Sequence, residues 1–197
     1  MYQQYREGWI EVICGCMFAG KSEELIRRIH VLSYAKKEIQ IFKPQIDDRY
    51  AKNEVVAHNG ARIPCTAVKD SKELASKIAK TTEVVAVDEV QFFDEGMIGL
   101  CEQLASQGRR VMLAGLDLDY RGEPFGIMPQ LIAKAEFVTK LTAVCSCCGA
   151  PATRTQLLIK DESAVHGNAG TIIGGSESYE ARCRHCHTAI QDRKQQR

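Results

Sequence analysis

Apolar residues follow one regime up to about residue 144 and another after it. In the first, short apolar runs alternate with amphipathic stretches. Residues 9–14 form a run broken by one charge, Glu11, and halted by Gly15, which predicts a strand. Residues 22–32 place Leu25, Ile26, Ile29 and Leu32 on one helical face, with Glu23, Glu24, Arg27 and Arg28 largely elsewhere. A second strand is expected over 38–42, ended by Pro44. Asp70 and Glu73 have capping-box spacing ahead of a helix carrying Leu74, Ala75 and Ile78. The β-branched run 83–87 suits a strand buried on both faces and ends at Asp88. A helix over 96–107 is closed by Gly108, and a buried strand follows at 111–114. A short helix over 127–135 and a strand over 137–144 complete the series. Strands and helices in alternation predict an α/β fold built on a parallel sheet.

From Cys145 onward the chain holds cysteines, polar residues and glycines, with one β-like stretch at 155–159. Residues 161–175, rich in Gly, Ser and Asn, read as a long loop of the kind that is functional or disordered. The polar tail 191–197 is expected to be disordered. The expected division is an α/β domain over 8–144 and a small domain over 145–190.

The 197 residues suffice for one substantial core. Lys and Arg total 26 against 25 Asp and Glu, a net charge of +1, so nothing pulls the whole chain toward nucleic acid. There is no apolar run of 18 residues to span a membrane, and 1–7 lacks the apolar core of a secretion signal. A cytoplasmic protein without nucleic-acid or membrane partners is therefore expected. In that compartment nine cysteines point to thiols or metal ligands rather than disulfides.

Gly15-Cys16-Met17-Phe18-Ala19-Gly20-Lys21-Ser22 matches G-x-x-x-x-G-K-[ST], between a predicted strand and a predicted helix. The glycines let backbone N–H groups turn around phosphate oxygens. Lys21 can neutralise the β- and γ-phosphates, Ser22 can ligate Mg²⁺, and the helix presents its positive end to the same anion. By average residue usage, the four fixed positions recur by chance in such a chain roughly once in a hundred. Asp88 and Glu89 end the next buried strand, and in such folds ligands bind where strands end. Asp88 is then the natural partner of Mg²⁺, and Glu89 can accept a proton from water or from a substrate hydroxyl. That chemistry alone leaves ATPase and kinase both open, as well as a nucleotide-dependent binding module.

Cys145-x-x-Cys148 and Cys183-x-x-Cys186 each make a knuckle that can aim two thiolates at one metal. Together they propose a structural Zn²⁺ site with no open position. Cys147 competes with Cys148, and His185 and His187 compete with Cys186. Cys14, Cys16, Cys65 and Cys101 lack such partners and read as core or loop residues.

Taken together, GCMFAGKS, VVAVDEVQFF, LDLDYRGEPFG, KLTAVCSCCG and IIGGSESYEARCRHC closely resemble the type II thymidine kinases, the zinc-containing family of bacteria and vertebrate cytosol. The resemblance runs from about residue 9 to 187. It implies a RecA-like phosphate-loop domain with a parallel sheet, followed by a small zinc-ribbon-like domain bearing a lasso loop. It implies transfer of the γ-phosphoryl of ATP to the 5′-hydroxyl of thymidine, with Mg²⁺ accompanying ATP. Glu89 matches the family's catalytic base, Arg49 the arginine that reaches the phosphates, and Ser22 with Asp88 the Mg²⁺ arrangement. Gln91 lies in the segment treated as part of the nucleotide site. Met17, Phe92, Leu116, Tyr120, Phe125 and Tyr179 match the nucleoside pocket, and the backbone around Ile172, Ile173 and Gly174 matches the lasso that reads thymine. For Phe92, Phe125 and Tyr179 the residues alone favour ordinary core packing. The resemblance further implies dTTP as feedback inhibitor and a homotetramer. Cys16, Ala19 and Tyr120 stand where relatives commonly have proline, serine and phenylalanine. Neither Cys16 nor Ala19 is a fixed position of the phosphate-loop pattern.

Overall fold

The computed structural model describes residues 8–46, 53–57, 60–158 and 178–188. β1 (Trp9–Gly15) leads through the glycine loop into α1 (Lys21–Tyr34), and β2 (Ile39–Pro44) follows. Three short strands come next, β3 (Glu54–Val56), β4 (Arg62–Pro64) and β5 (Thr66–Val68). Then follow α2 (Ser71–Lys77), β6 (Val84–Val87), a 3-10 turn at Val90–Phe92, α3 (Gly96–Ser106) and β7 (Arg110–Gly115). The α/β series closes with α4 (Met128–Lys134) and β8 (Phe137–Leu141).

The main sheet has the order β5-β2-β6-β7-β1-β8, and each neighbouring pair is parallel. Alternating residues of the buried strands feed opposite faces. Val85 and Val87 join Leu74 of α2, Met97 and Cys101 of α3, and Met128 and Leu131 of α4. Val84 and Ala86 join Leu25 and Ile29 of α1 on the other face. Coverage on both sides is why β6 reads as a continuous apolar run. Each fully buried Leu or Ile of α1 contributes about 1.5–3 kcal/mol of burial energy. Glu11, buried within β1, accepts from Arg28 of α1 and Arg110 of β7, both at 3.0 Å. A buried carboxylate needs such partners.

The sequence-expected elements recur with shifted ends. Asp70 caps α2 by accepting the Glu73 N–H at 2.8 Å, while the Glu73 carboxylate reaches back to the Lys69 N–H. The expected strand 137–144 divides at Thr142. β8 stays in the main sheet, and β9 (Ala143–Val144) pairs antiparallel with β10 (Pro151–Ala152). The first cysteine knuckle forces this change, since Cys145 N–H must turn to meet Ala150 O at 2.8 Å. β11 (Arg154–Leu157) and β12 (Tyr179–Arg182) form a further antiparallel pair. The segment 161–175 and the tail 191–197 lie outside the described residues.

Candidate active site and cysteine cluster

Because the sheet is parallel, the carboxyl ends of β1, β2, β6 and β7 open on one edge. A cleft of about 190 Å³ lies there. The glycine loop and the start of α1 supply Met17, Phe18, Gly20, Lys21, Ser22 and Glu23. Asp88 and Glu89 enter from the end of β6, Leu116 from the end of β7, Lys43 from β2, and Glu54, Val55 and Val56 from β3.

Gly15 has φ 144, and a Cβ there would lie 2.4 Å from Leu141 O, so only glycine lets the loop leave β1 beside β8. Lys21 is buried, and its Nζ donates to Cys16 O at 2.9 Å, back across the loop it closes. Ser22 Oγ donates to Asp88 Oδ2 at 2.8 Å, and the Glu89 N–H donates to Asp88 Oδ1 at 3.0 Å. Burial, with the Glu89 charge second, pushes Asp88 up to about 7; the Ser22 hydrogen bond opposes this. A carboxylate so desolvated gains from a cation in place of its proton.

Glu89 adopts φ 51 and ψ 41, the left-handed region that a non-glycine residue enters at a cost of about 1–3 kcal/mol. The turn swings its carboxyl into the cleft beside Lys21 and Ser22. Gln91 Nε2 donates to Glu89 Oε2 at 2.5 Å. Gln91 itself is buried and does not line the cleft.

The loop is also held from the far side. Cys16 Sγ donates to Ala152 O at 3.3 Å, and the Met17 N–H donates to Thr155 Oγ1 at 3.1 Å. Cys16 packs with Cys145, Ala152, Ala181 and Cys183, and Phe18 and Ala19 pack against the same cluster. Burial raises the Cys16 thiol pKa, which keeps it protonated as that donor.

The sulfurs of Cys145, Cys148, Cys183 and Cys186 all lie within 4.8 Å of one another, and Cys148 Sγ stands 3.7 Å from Cys183 Sγ. A tetrahedron of thiolates about 2.3 Å from zinc has edges of about 3.8 Å, so the set fits this ion. Hydrogen bonds from backbone N–H groups, that of Cys183 first, lower the Cys145 thiol to about 6. Cys183 is lowered as well, with the Cys186 N–H first among the causes. Cys147 and His185 are exposed, and His187 Nε2 faces Tyr120 O at 3.0 Å. The competing ligands are thus not in the four-sulfur group.

The sequence model of a family described as thymidine kinase matches residues 8–187. The chain belongs to the thymidine kinase family. Membership makes it a phosphotransferase and supports nucleoside kinase activity. Among solved structures it is similar to the Legionella pneumophila ATPase DotB, with a TM-score of 0.40 and 16% identity. That match covers 66% of this chain and 34% of the ATPase chain.

Of the pocket residues expected in this thymidine kinase family member, Tyr120 and Tyr179 are buried together with Leu157, a residue not expected there, and Met17 and Phe18 pack against them. Phe92 and Phe125 meet edge to face, with ring centroids 5.6 Å apart. Met17 and Leu116 line the cleft. Arg49, Ile172, Ile173 and Gly174 lie outside the described residues. Lys43 and Thr155 were not singled out from sequence. Lys43 offered one signal, a lysine placed just before Pro44 where an apolar strand ends. Thr155 offered none, because its partner is 138 residues away.

Proposed function

We propose that this protein transfers the γ-phosphoryl group of ATP to the 5′-hydroxyl of thymidine. The observation that carries the proposal is the shared cleft. Glu89 is turned into it by a left-handed backbone, beside Lys21 and Ser22 of the phosphate loop. A plain nucleotide-binding module has no use for a proton acceptor at that place.

Gly15, Cys16, Met17, Phe18, Ala19 and Gly20 wrap the phosphates in this reading, and Lys21 offsets charge on the transferring group. Ser22 and Asp88 would hold Mg²⁺, which supplies positive charge to the phosphates when bound. Glu89 takes the hydroxyl proton as the 5′-oxygen attacks. Arg49, on the family resemblance, adds a second cation at the phosphates. Positioning and electrostatics then supply most of the acceleration.

Met17, Leu116, Phe92, Tyr120, Phe125 and Tyr179 form the nucleoside side of the site, and the backbone at Ile172, Ile173 and Gly174 reads thymine. Thymine offers two carbonyl acceptors and one N–H donor, which suit main-chain groups. The four cysteines hold Zn²⁺ as a structural ion, closed to chemistry because every position is filled by sulfur. The family resemblance also brings the division into units at 8–144 and 145–190, dTTP as feedback inhibitor, a homotetramer and a cytoplasmic location into the proposal.

The test is incubation of the purified protein with γ-labelled ATP and a panel of nucleosides. Label passing to thymidine, ahead of cytidine, adenosine and guanosine, is the expected result. Label released only as inorganic phosphate, whatever the nucleoside, would make the protein an ATPase and end the proposal.

A further inference from the structure

We infer that Gln91 is the positioning residue for Glu89 and acts from behind the cleft, not as a nucleotide contact. The inference rests on the proposed role of Glu89 as the base. Gln91 is only 3% exposed and is not among the residues lining the cleft. Both ends of its amide are engaged. Nε2 donates to Glu89 Oε2 at 2.5 Å, and Oε1 accepts the Leu116 N–H at 3.1 Å.

These partners fix which way the amide points. A backbone N–H can only donate and an ionised carboxylate can only accept, so the carbonyl must face Leu116 and the NH₂ must face Glu89. The end of β7 therefore sets the orientation of a group that grips the residue following Asp88, past the end of β6. Space for this is built in. A Cβ on Gly115 would lie 2.6 Å from Gln91 Oε1, and a Cβ on Gly126 would lie 2.8 Å from Gln91 O.

A donor aimed at Oε2 restricts rotation of the Glu89 carboxyl. The charged groups sharing the cleft with Glu89, among the described residues, are Lys21 and Glu23 of α1, Lys43 of β2, Glu54 of β3, and Asp88. Among the described residues, none of these hydrogen-bonds Gln91, so a change at 91 reaches Glu89 without touching them.

The test is steady-state kinetics with ATP and thymidine at one fixed pH. The proteins are wild type, Gln91→Leu, Gln91→Glu, Gly115→Ala and Glu89→Gln. For Gln91→Leu, kcat should fall about tenfold to a hundredfold, the usual effect of a misplaced reacting group. The KM for ATP should stay within about twofold, so that the loss falls on kcat. Gly115→Ala should act in the same direction, and combining it with Gln91→Leu should add little. If Gln91→Leu does not fold, Gln91→Glu decides by the same split, since it keeps the shape but cannot donate when ionised. A raised KM for ATP with unchanged kcat would overturn the inference and make Gln91 a nucleotide contact. Should Glu89→Gln retain kcat, the base assignment falls and this inference with it. Should Glu89→Gln lose kcat while Gln91→Leu and Gln91→Glu keep it, only the inference falls.

Discussion

Ser22 Oγ donates to Asp88 Oδ2 across 2.8 Å, which fastens the first turn of α1 to the end of β6. β7 lies between β1 and β6 in the sheet, so the bond bridges the strand that separates them. Asp88 is thereby held on both oxygens, by Ser22 on one and by the Glu89 N–H on the other. Its orientation is set by the fold before any cation arrives.

That burial has a pH signature. The Asp88 pKa rises from 3.8 to about 7, through burial first and the Glu89 charge second. The folded protein therefore binds more protons than the unfolded chain between those values. Stability should fall as pH rises from about 4 to about 7, then level off. Asp88→Asn removes this loss, so its stability advantage over wild type should be larger at pH 8 than at pH 5. Denaturation midpoints measured without added divalent metal check this. An equal difference at both pH values would contradict the assignment.

The cysteine cluster and the phosphate loop share a wall, through Cys16 Sγ to Ala152 O and the Met17 N–H to Thr155 Oγ1. Cys145→Ser or Cys183→Ser should lower zinc content and melting temperature together. ATP affinity should fall in the same variants, by about tenfold if the loosened wall costs about 1.4 kcal/mol. Elemental analysis, calorimetric melting and ATP titration provide the readouts. Wild-type protein that folds normally with well below one zinc per chain would refute a structural ion.

Gly15→Ala tests the exit of β1. Its Cβ would meet Leu141 O at 2.4 Å, at a φ of 144 that side chains disfavour. A loss of about 2 kcal/mol or more is expected in urea denaturation. Gly99→Ala, where a Cβ meets nothing within 4 Å, is the control and should cost nothing.

What could be read from the sequence was what the chemistry demands of neighbours in the chain. The phosphate loop works through contiguous backbone, so Gly15 to Ser22 announce it, and two-residue gaps announce the cysteine knuckles. Long apolar runs such as 83–87 gave the central strands. β3, β4 and β5, three residues each, are too short to show a period. Lys43 looks like any charged strand end until β2 places it on the cleft wall. The link from Gln91 to Leu116 exists only because β6 and β7 are adjacent, and no spacing within either segment records it. His187 has the spacing of a metal ligand, but packing between segments 67 residues apart turns its Nε2 toward Tyr120 O.

The most direct measurement of the central claim is kcat for Glu89→Gln with saturating ATP and thymidine. The amide keeps the size of the side chain but cannot accept the 5′-hydroxyl proton. Binding of both substrates should persist, because Lys21, Ser22 and the aromatic cluster are untouched. Turnover should fall by roughly 10²–10⁴-fold, the usual contribution of a general base. A raised KM with kcat unchanged would mean that Glu89 only binds, and would contradict its role as the proton acceptor in phosphoryl transfer.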